Sequence, residues 1–502
     1  MPAHPRRETM WRITACALAA LPLTACSPSS SSGTEPGEPR VGPGPAARAR
    51  NVLLITVDTL RADALGSYGG EPGASPSLDR LAEGSLRFEN AYSQSTHTHS
   101  ALSSVLTGLT PPRHGVLAQA GFLRRNVIPL ALVLQAREYD TGAFFANVCK
   151  LQEFRTVLQV GWDERFCGME LDEEGLIVEG SEQYTWDQAV TDAAVAWIDG
   201  RSGPWFAWVH LMDPHAEHRP PPDLWDYAAR PIPDKHAQYQ QFADYELAQE
   251  LPPPAVLEEL LEQYALEVTG TDRQIGRLLE FVEGLPEAER TAVIFSADHG
   301  EELFETWPRY GHGLSLTEGV LRVPLLVRAP GLEPGVDTGF VETLQIAPTV
   351  LDLLDVAPPY PLDGRSLLEE RSDAPFAVSY CSTVATIRYG PYRLWWNTVG
   401  DRKLRRSKEI VQFIEEGPEA AMNPWFQNEL VLARYAPAAP SRPSWLPVEQ
   451  VPASPAGRKL KGQLEEYIDG LGELPDPEDI EDQGLQRQLE QLGYFGAVRR
   501  ED

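Results

Sequence analysis

The sequence predicts an α/β fold in which helices flank a mostly parallel central sheet, followed by a smaller C-terminal α+β subdomain. Two apolar runs, Asn51–Val57 and Thr291–Ser296, are rich in β-branched residues and end in polar clusters, as buried parallel strands do. Between them, Trp186–Asp199 and Val256–Val282 carry apolar residues at helical spacing. Strand and helix signals therefore alternate along the chain, which is the order expected of an α/β domain.

Weaker signals describe the C-terminal part of the chain. We expect a helix over Val341–Leu354, in which the interior Pro348 marks a start or a kink. Residues 376–398 predict two or three short strands, and the proline-rich stretch 437–455 predicts a surface crossing. Leu485–Tyr494 has the pattern of an amphipathic helix.

Composition limits the class of protein. The chain has 502 residues with 42% hydrophobic content, enough for one large domain and a smaller one with a real core. The formal net charge is −30, which argues against nucleic acid as a partner because phosphate backbones repel such a surface. A solvated acidic surface explains this charge, so it does not identify a substrate.

The first residues predict export. Three arginines precede the short apolar run Ile13–Leu23, which is typical of a secretory signal and too short to span a membrane. Leu23–Cys26 resembles a bacterial lipobox, which implies cleavage after residue 25, acylation of Cys26 and attachment to a bacterial membrane. The alternative is an ordinary signal peptide with an incidental cysteine. Residues 27–50 are rich in Ser, Pro and Gly and predict a disordered tether.

Three cysteines lie beyond this leader. In an exported protein Cys149 and Cys167 could close a small loop as a disulfide, and two unlinked buried thiols are the alternative. Neither these two nor Cys381 stands where a catalytic cysteine would be expected.

Polar side chains follow both of the predicted buried strands. Asp58 comes directly after the first, and Asp298 and His299 follow the second. The carboxyl ends of parallel strands carry the chemistry of open α/β sheets, so we expect these side chains to lie together. Two carboxylates and an imidazole suit a divalent metal ion. The alternative is that Asp58 caps a helix and that Asp298–His299 is a polar turn.

Several longer motifs resemble the sulfatases, a family of the alkaline phosphatase superfamily. Within the family, the chain resembles a branch of bacterial sulfatase-like lipoproteins that carry Val-Asp-Thr-Leu-Arg-Ala-Asp at the end of the first strand, as in Val57–Asp63. The matching blocks follow the family order from about residue 51 to 370: Asn51–Gly70, Val209–His215, Ser296–Glu301, Gly311–Glu318, Leu321–Gly331 and Ile346–Thr349.

The resemblance implies an alkaline-phosphatase-like catalytic domain over residues 51–375. It implies a C-terminal subdomain over residues 376–502, with a small antiparallel sheet and a terminal helix. The expected activity is hydrolysis of sulfate esters of small molecules or glycans. Calcium is the usual family metal, and manganese, magnesium or zinc also fit the residues present.

The family nucleophile is the point at which this sequence departs from the pattern. The Cys-x-Pro-Ser-Arg segment is absent, so formylglycine is not expected. Alignment back from Leu106–Gly108 puts Thr98 at the formylglycine position, with Thr96 as the second choice. A threonine nucleophile in phosphodiesterase relatives keeps open a phosphatase, phosphodiesterase or phosphonate hydrolase. A non-catalytic, sulfatase-like envelope protein is a third alternative, in which this Ser/Thr/His run only caps a helix.

Cationic groups of the family pattern are also missing. Leu102, Ala146 and Gly313 align with an arginine and two lysines that would hold a sulfate, and Thr59 replaces a second aspartate. Imidazoles could compensate. We expect His215 and His312 to act in catalysis, and His97 and His99 to bind substrate; His210 is expected to be structural and His218 to lie at the surface.

Overall fold

The computed structural model describes residues 48–117, 121–146, 156–168, 183–233, 235–248, 250–304, 309–369, 376–381, 384–397, 430–436, 439–446 and 450–471. The predicted leader with Cys26, most of the tether, Cys149 and Leu485–Tyr494 lie outside these residues. Cys167 belongs to a disulfide, whereas Cys381 is a buried thiol whose Sγ atom donates to Gly313 O at 3.0 Å. In the described part of the chain, the helices are all too short or too polar to cross a bilayer.

A nine-stranded sheet forms the centre of the fold. Its strands are β1 (Asn51–Val57), β2 (Leu86–Tyr92), β3 (Asp140–Phe145), β4 (Glu164–Cys167), β5 (Trp205–Leu211), β6 (Thr291–Ala297), β9 (Arg322–Val323), β10 (Leu325–Arg328) and β11 (Gly335–Glu342), while β7 (Glu302–Leu303) and β8 (Tyr310–Gly311) form a separate ribbon. The order is β11-β2-β10-β6-β1-β5-β3-β4, with β9 paired to β2. Pairs that involve β9 or β10 are antiparallel and the others are parallel. The predicted α/β class is confirmed.

Helices cover this sheet. They are α1 (Pro76–Glu83), α2 (Thr98–Thr107), α3 (Pro111–His114), α4 (Leu130–Gln135), α5 (Gln183–Asp199), α6 (Lys235–Ala248), α7 (Pro254–Glu283), α8 (Glu318–Leu321), α9 (Ile346–Leu353) and α10 (Pro455–Gly470). All seven residues of β1, β5 and β6 are buried, as expected for strands covered on both faces. The long helix α7 packs against α1 and α5, and α5 packs against β3 and β5.

A second, antiparallel sheet follows. It has the order β12 (Phe376–Cys381), β13 (Val384–Tyr389), β14 (Tyr392–Asn397), β15 (Leu430–Ala436) and β16 (Ala439–Trp445), and α10 packs against β13 and β14. Two or three strands were expected from residues 376–398, and three lie there. The surface crossing expected over residues 437–455 is wrong in part, because β16 lies there. Its two prolines are tolerated because β16 is an edge strand.

The segment expected to be one helix over Val341–Leu354 is divided. β11 continues to Glu342, a 3₁₀ turn covers Thr343–Gln345, and α9 begins only at Ile346. Pro348 therefore lies in the first turn of α9, where backbone N–H groups have no partner within the helix. The proline marks a helix start, as one of the two expected alternatives stated.

Candidate active site

Three neighbouring strands bring polar side chains to one edge of the central sheet. Asp58 follows β1, Asp298 follows β6, and His210 lies near the end of β5 opposite Thr56 of β1. The order β5-β1-β6 with parallel register places these strand ends side by side, and all three side chains are fully buried. The ligand atoms of Asp58, His210 and Asp298 lie within 4.8 Å of one another.

His299 stands beside the same carboxylates. Its Nε2 atom is 3.5 Å from Asp298 Oδ2 and 3.9 Å from Asp58 Oδ1. The structure thus brings the three sequence-predicted ligands together and adds His210, whose Nε2 atom is 3.8 Å from Asp58 Oδ2. His210 was expected to be structural, since an apolar strand does not reveal which of its side chains meets a neighbouring strand end.

The hydrogen-bonding pattern of these side chains is the one expected around a divalent cation. Within the described residues, His210 Nε2 and Asp298 Oδ2 are buried without a hydrogen-bond partner, which is costly unless another group satisfies them. His299 Nδ1 donates to Gly300 O at 3.0 Å, so its Nε2 atom keeps a lone pair. His210 Nδ1 lies 2.9 Å from Thr56 Oγ1. Outer contacts of this kind fix the ring orientation of metal-binding histidines.

The two carboxylates have opposite electrostatic environments. Burial opposes ionisation of Asp58, but the nearby His215, His210 and His299 outweigh it and hold the pKa of Asp58 below its ordinary value. Burial and the charge of Asp58 raise the pKa of Asp298 well above its ordinary value. A bound cation would favour the ionised form of both, so the acidic pair is an electrostatically suitable place for one.

Thr98, the first-choice nucleophile, lies beside His299. It is the first residue of α2, is almost fully buried, and its Oγ1 atom lies 3.3 Å from His299 Nε2. The hydroxyl of Thr96 donates instead to Gly313 O, and Ser100 Oγ donates to Val116 O at 2.7 Å. Of the three candidate hydroxyls, Thr98 is therefore the one placed beside the acidic pair, at a helix N-terminus that favours anions.

Further histidine rings lie beside His299. The ring centroid of His312 is 4.6 Å from that of His299 and 4.9 Å from that of His215. His97 lies next to Gly313, at a position where an added Cβ would meet its Cε1 atom at 3.3 Å. The three histidines predicted at or beside the reacting groups, His97, His215 and His312, are thus close together.

Among these rings His312 is the one that most readily carries a proton. Burial lowers the pKa of His97 to about 4 and that of His299 to about 3, and it lowers the pKa of His215. Burial also opposes protonation of His312, but the charge of Glu301 and its hydrogen bond outweigh this and raise the pKa. His312 Nδ1 donates to Glu301 Oε1 at 2.8 Å.

The remaining predicted positions are buried in different surroundings. Burial, and after it the nearby His99, lower the pKa of His114. His99 thus lies near that ring, and its contact with a substrate stays a prediction. Leu102 and Ala146, which align with lost cationic groups, belong to the hydrophobic core. Gly313 has a φ of +85°, a left-handed conformation that disfavours a lysine there.

His218 does not lie at the surface, as the sequence analysis expected. It is fully buried, and its Nδ1 atom is 2.6 Å from Glu267 Oε2 of α7. Burial lowers the pKa of His218 to about 4 and raises that of Glu267 well above its ordinary value. The expectation was wrong because α7 supplies a buried carboxylate that local sequence around His218 does not show.

The backbone beside Asp58 is strained. Thr59 is β-branched and has a φ of +55°, a conformation that costs free energy for such a residue. The Thr59 N–H donates to Asp298 Oδ1 at 3.2 Å, and Tyr264 Oη donates to Thr59 O at 2.9 Å. These contacts hold the strained residue and tie the end of β1 to the end of β6.

Comparison with known proteins extends these observations. A family model described as Sulfatase matches residues 50–356, more than half of the chain. Arylsulfatase A of Homo sapiens is 27% identical over 359 residues, which cover 64% of this chain and 67% of that protein. The ulvan-active sulfatase of Formosa agariphila is 25% identical over 339 residues, covering 64% of each chain. The chain thus spans about two thirds of the length of these relatives.

Solved structures show the same architecture. A phosphonate monoester hydrolase from Silicibacter pomeroyi superposes with a TM-score of 0.60 at 19% identity, covering 84% of this chain and 94% of that one. The structure of BT4656 in complex with its substrate D-glucosamine-2-N,6-O-disulfate also gives a TM-score of 0.60, at 18% identity, covering 87% of this chain and all of that one. At these identities the likeness concerns the fold.

Proposed function

The chain belongs to the sulfatase family of the alkaline phosphatase superfamily, and on that basis we propose that it is a metal-dependent hydrolase of sulfate esters with Thr98 as its nucleophile. The observation that carries the proposal is the position of Thr98 Oγ1, 3.3 Å from His299 Nε2 and beside the acidic pair Asp58 and Asp298. The substrate class is a small-molecule or glycan sulfate ester, as the names of the relatives suggest for those proteins.

Asp58, Asp298, His299 and His210 would hold the cation. When bound, a divalent cation would supply Lewis acidity beside Thr98 and lower the pKa of its hydroxyl. Calcium, the metal expected from the resemblance, prefers oxygen ligands. Two imidazoles in the donor set favour zinc over calcium.

The chain's own residues would carry the reaction in two steps. Thr98 loses its proton to solvent, and its Oγ1 atom attacks sulfur and forms a sulfate ester. The bond to the leaving oxygen breaks, and that oxygen takes a proton from His312. Water then attacks the sulfur and gives a proton to His312, while the bond between sulfur and Thr98 Oγ1 breaks. Sulfate leaves, and Thr98 takes back a proton from solvent. His97 and His215 would orient the anion.

Phosphoryl substrates are the second candidate. A threonine hydroxyl needs no maturation, and the cationic groups that would hold a sulfate are absent at Leu102, Ala146 and Gly313. Phosphodiesters and phosphonate monoesters carry one negative charge, as sulfate esters do, so the same site could accept them. Turnover measured on matched sulfate and phosphoryl substrates distinguishes the two substrate classes.

Thr98→Ala is the decisive variant. The full-length protein is assayed on matched aryl sulfate, phosphate monoester, phosphodiester and phosphonate monoester substrates, with calcium, magnesium, manganese and zinc each supplied. We expect Thr98→Ala to lower turnover by on the order of 10³-fold or more while metal content and Tm stay unchanged, and Thr98→Ser to keep part of the activity.

Ser100→Ala is the matched control, because that hydroxyl bonds only a backbone carbonyl in the described contacts. Turnover by Thr98→Ala equal to that of the wild type would refute the nucleophile assignment. A wild-type protein without activity on any substrate would favour the non-catalytic alternative.

We also propose export and lipid anchoring through Cys26, supported by the lipobox-like Leu23–Cys26 and the preceding apolar run. Mass spectrometry of the mature N-terminus tests this: a diacylated Cys26 is expected, and an unmodified one would contradict it.

A further inference from the structure

Glu301 contacts His312 and the backbone of Ala216, the residue after His215. It follows the metal-binding segment Asp298–His299 by two residues and is fully buried. Both of its carboxylate oxygens accept hydrogen bonds inside the protein. Oε1 accepts from His312 Nδ1 at 2.8 Å, and Oε2 accepts from the backbone N–H of Ala216 at 3.1 Å. One carboxylate therefore joins two separate segments of the site.

The contact with Ala216 reaches the second histidine. His215 Nδ1 donates to the carbonyl oxygen of Ala216, so the residue whose N–H is held by Glu301 also orients the His215 ring. Both rings consequently engage their Nδ1 atoms, and they meet edge to face at 4.9 Å. Glu301 therefore holds the His312 ring directly and the His215 ring through Ala216.

The backbone of Glu301 is itself fixed. Arg61 Nη1 donates to Glu301 O at 3.0 Å, and the N–H of Gly300 donates to Val320 O at 2.6 Å. Gly300 has no room for a side chain, since an added Cβ would lie 2.1 Å from Gly319 O. The carboxylate is thus presented from a rigid segment, as positioning of a catalytic group requires.

We propose that Glu301 is a positioning residue that sets the orientation of His312 and His215 together and so couples the two imidazoles in one arrangement. This inference rests on the proposed function for its kinetic consequence. Its structural content, that the Glu301 carboxylate keeps the proton of His312 on Nδ1, can be tested in a protein without known turnover.

Glu301→Gln is the informative variant. A glutamine has the same shape but one acceptor oxygen, so it can accept from His312 or from Ala216 and not from both. We expect kcat to fall roughly 10- to 100-fold with a smaller change in KM, the range seen when an orienting partner of an active-site imidazole is lost. In a His312→Asn background the same substitution should cost much less, because its partner is already absent.

Glu302→Gln is the matched control. Glu302 is the next residue, is equally buried, and bonds the hydroxyls of Thr317 and Ser315 rather than a histidine. Its glutamine variant should keep kcat and KM. Thermal unfolding of all variants separates loss of positioning from loss of folding.

Side-chain ¹⁵N NMR of histidine-labelled protein gives a readout apart from turnover. In the wild type the His312 signal, assigned by its loss in His312→Asn, should show a protonated Nδ1; in Glu301→Gln that state should be lost or mixed. An unchanged His312 signal, or a kcat loss of the same size with and without His312, would overturn the proposal. A wild type without turnover would count against the proposed function, while the NMR comparison would still decide the role of Glu301.

Discussion

Residue by residue, the site depends on which ring nitrogen of each histidine is used. His299, His215 and His312 all direct Nδ1 to an acceptor of the chain: Gly300 O, Ala216 O and Glu301 Oε1. For His299 this leaves Nε2 directed at Thr98 Oγ1, 3.3 Å away. His210 follows the same rule if Nδ1 donates to Thr56 Oγ1, which also accepts from Trp208 Nε1 at 2.9 Å.

Removal of His210 should weaken metal binding. We expect His210→Ala to bind zinc roughly 10-fold more weakly than the wild type, or weaker still, because one ligand nitrogen is lost. The zinc affinity of Thr56→Val should lie between those of His210→Ala and the wild type. The measurement is a competition titration with a chromogenic chelator after metal removal, together with metal analysis of the purified protein.

His218→Gln is the control for this experiment, since it changes another buried imidazole that pairs with Glu267 outside the ligand group. It should keep the wild-type zinc affinity. Equal affinity of His210→Ala and wild type would show that Asp58, Asp298 and His299 bind the ion without His210.

For whole helices and strands, the structure shows that some ends are held by distant side chains. Asp272 of α7 accepts from the N–H groups of Ser77 and Leu78, at 3.0 and 2.8 Å, in the first turn of α1. Those donors have no partner within α1, and its own preceding residue, Ser75, makes no side-chain cap there. A carboxylate at this helix N-terminus is also favoured by the helix dipole.

Loss of this contact should destabilise the protein. Asp272→Ala is expected to lower the free energy of unfolding by about 1 to 2 kcal/mol, because two backbone donors lose their acceptor, and Asp272→Asn by less. Urea denaturation measures the difference. Arg273→Ala is the control, since its ion pair with Asp223 is exposed and should contribute little; a similar loss in both variants would contradict the capping role.

The elements that sequence alone predicts are those with a local signal. β1, β6, α5 and α7 were expected within a few residues of their bounds, because buried strands and amphipathic helices show their burial as apolar spacing. β16 has two prolines and forms because β15 offers it an edge. The residues of β16 alone do not predict this pairing.

The same distinction applies to the candidate site. Asp58, Asp298 and His299 were expected because each directly follows a recognisable strand. Glu301 and His210 were missed, because Glu301 joins His312 to Ala216, which is 85 residues away, and His210 reaches the site through strand register. Long-range contacts of this kind become visible only when the fold is known.

In the molecule as a whole, the second sheet supports the segment that carries the site. Glu318 of α8 accepts from Arg388 and Arg393 of that sheet, at 2.7 and 2.8 Å, and from Tyr92 Oη of the central sheet at 2.8 Å. Trp395 Nε1 donates to Leu316 O at 2.9 Å. The loop after His312 is therefore held from both sheets, so the C-terminal sheet contributes to the site without supplying a reacting group.

A carboxylate between the two sheets should make stability depend on pH. Glu342 ends β11, and its Oε1 atom accepts from Val378 N of β12 at 2.8 Å. Burial, with a further contribution from the charge of Asp363, raises the pKa of Glu342 from 4.5 to about 7. Between pH 4.5 and about pH 7, the folded protein therefore keeps a proton on Glu342 that the unfolded chain has lost. Stability that Glu342 contributes as an acid is present below pH 4.5 and is lost as the pH rises toward 7.

Glu342→Gln should remove that dependence, because the amide cannot ionise and keeps an acceptor for Val378. We expect the variant to match the wild type near pH 4.5 and to be more stable at pH 8. The upper limit of the gain is about 3 kcal/mol, at about 1.4 kcal/mol for each pH unit between the two values, and solvent around this half-buried side chain reduces it. Urea denaturation at both pH values measures the difference. Glu71→Gln, at an exposed position, should leave the comparison unchanged; a gain at pH 4.5 as large as that at pH 8 would mean that packing, not ionisation, explains the effect.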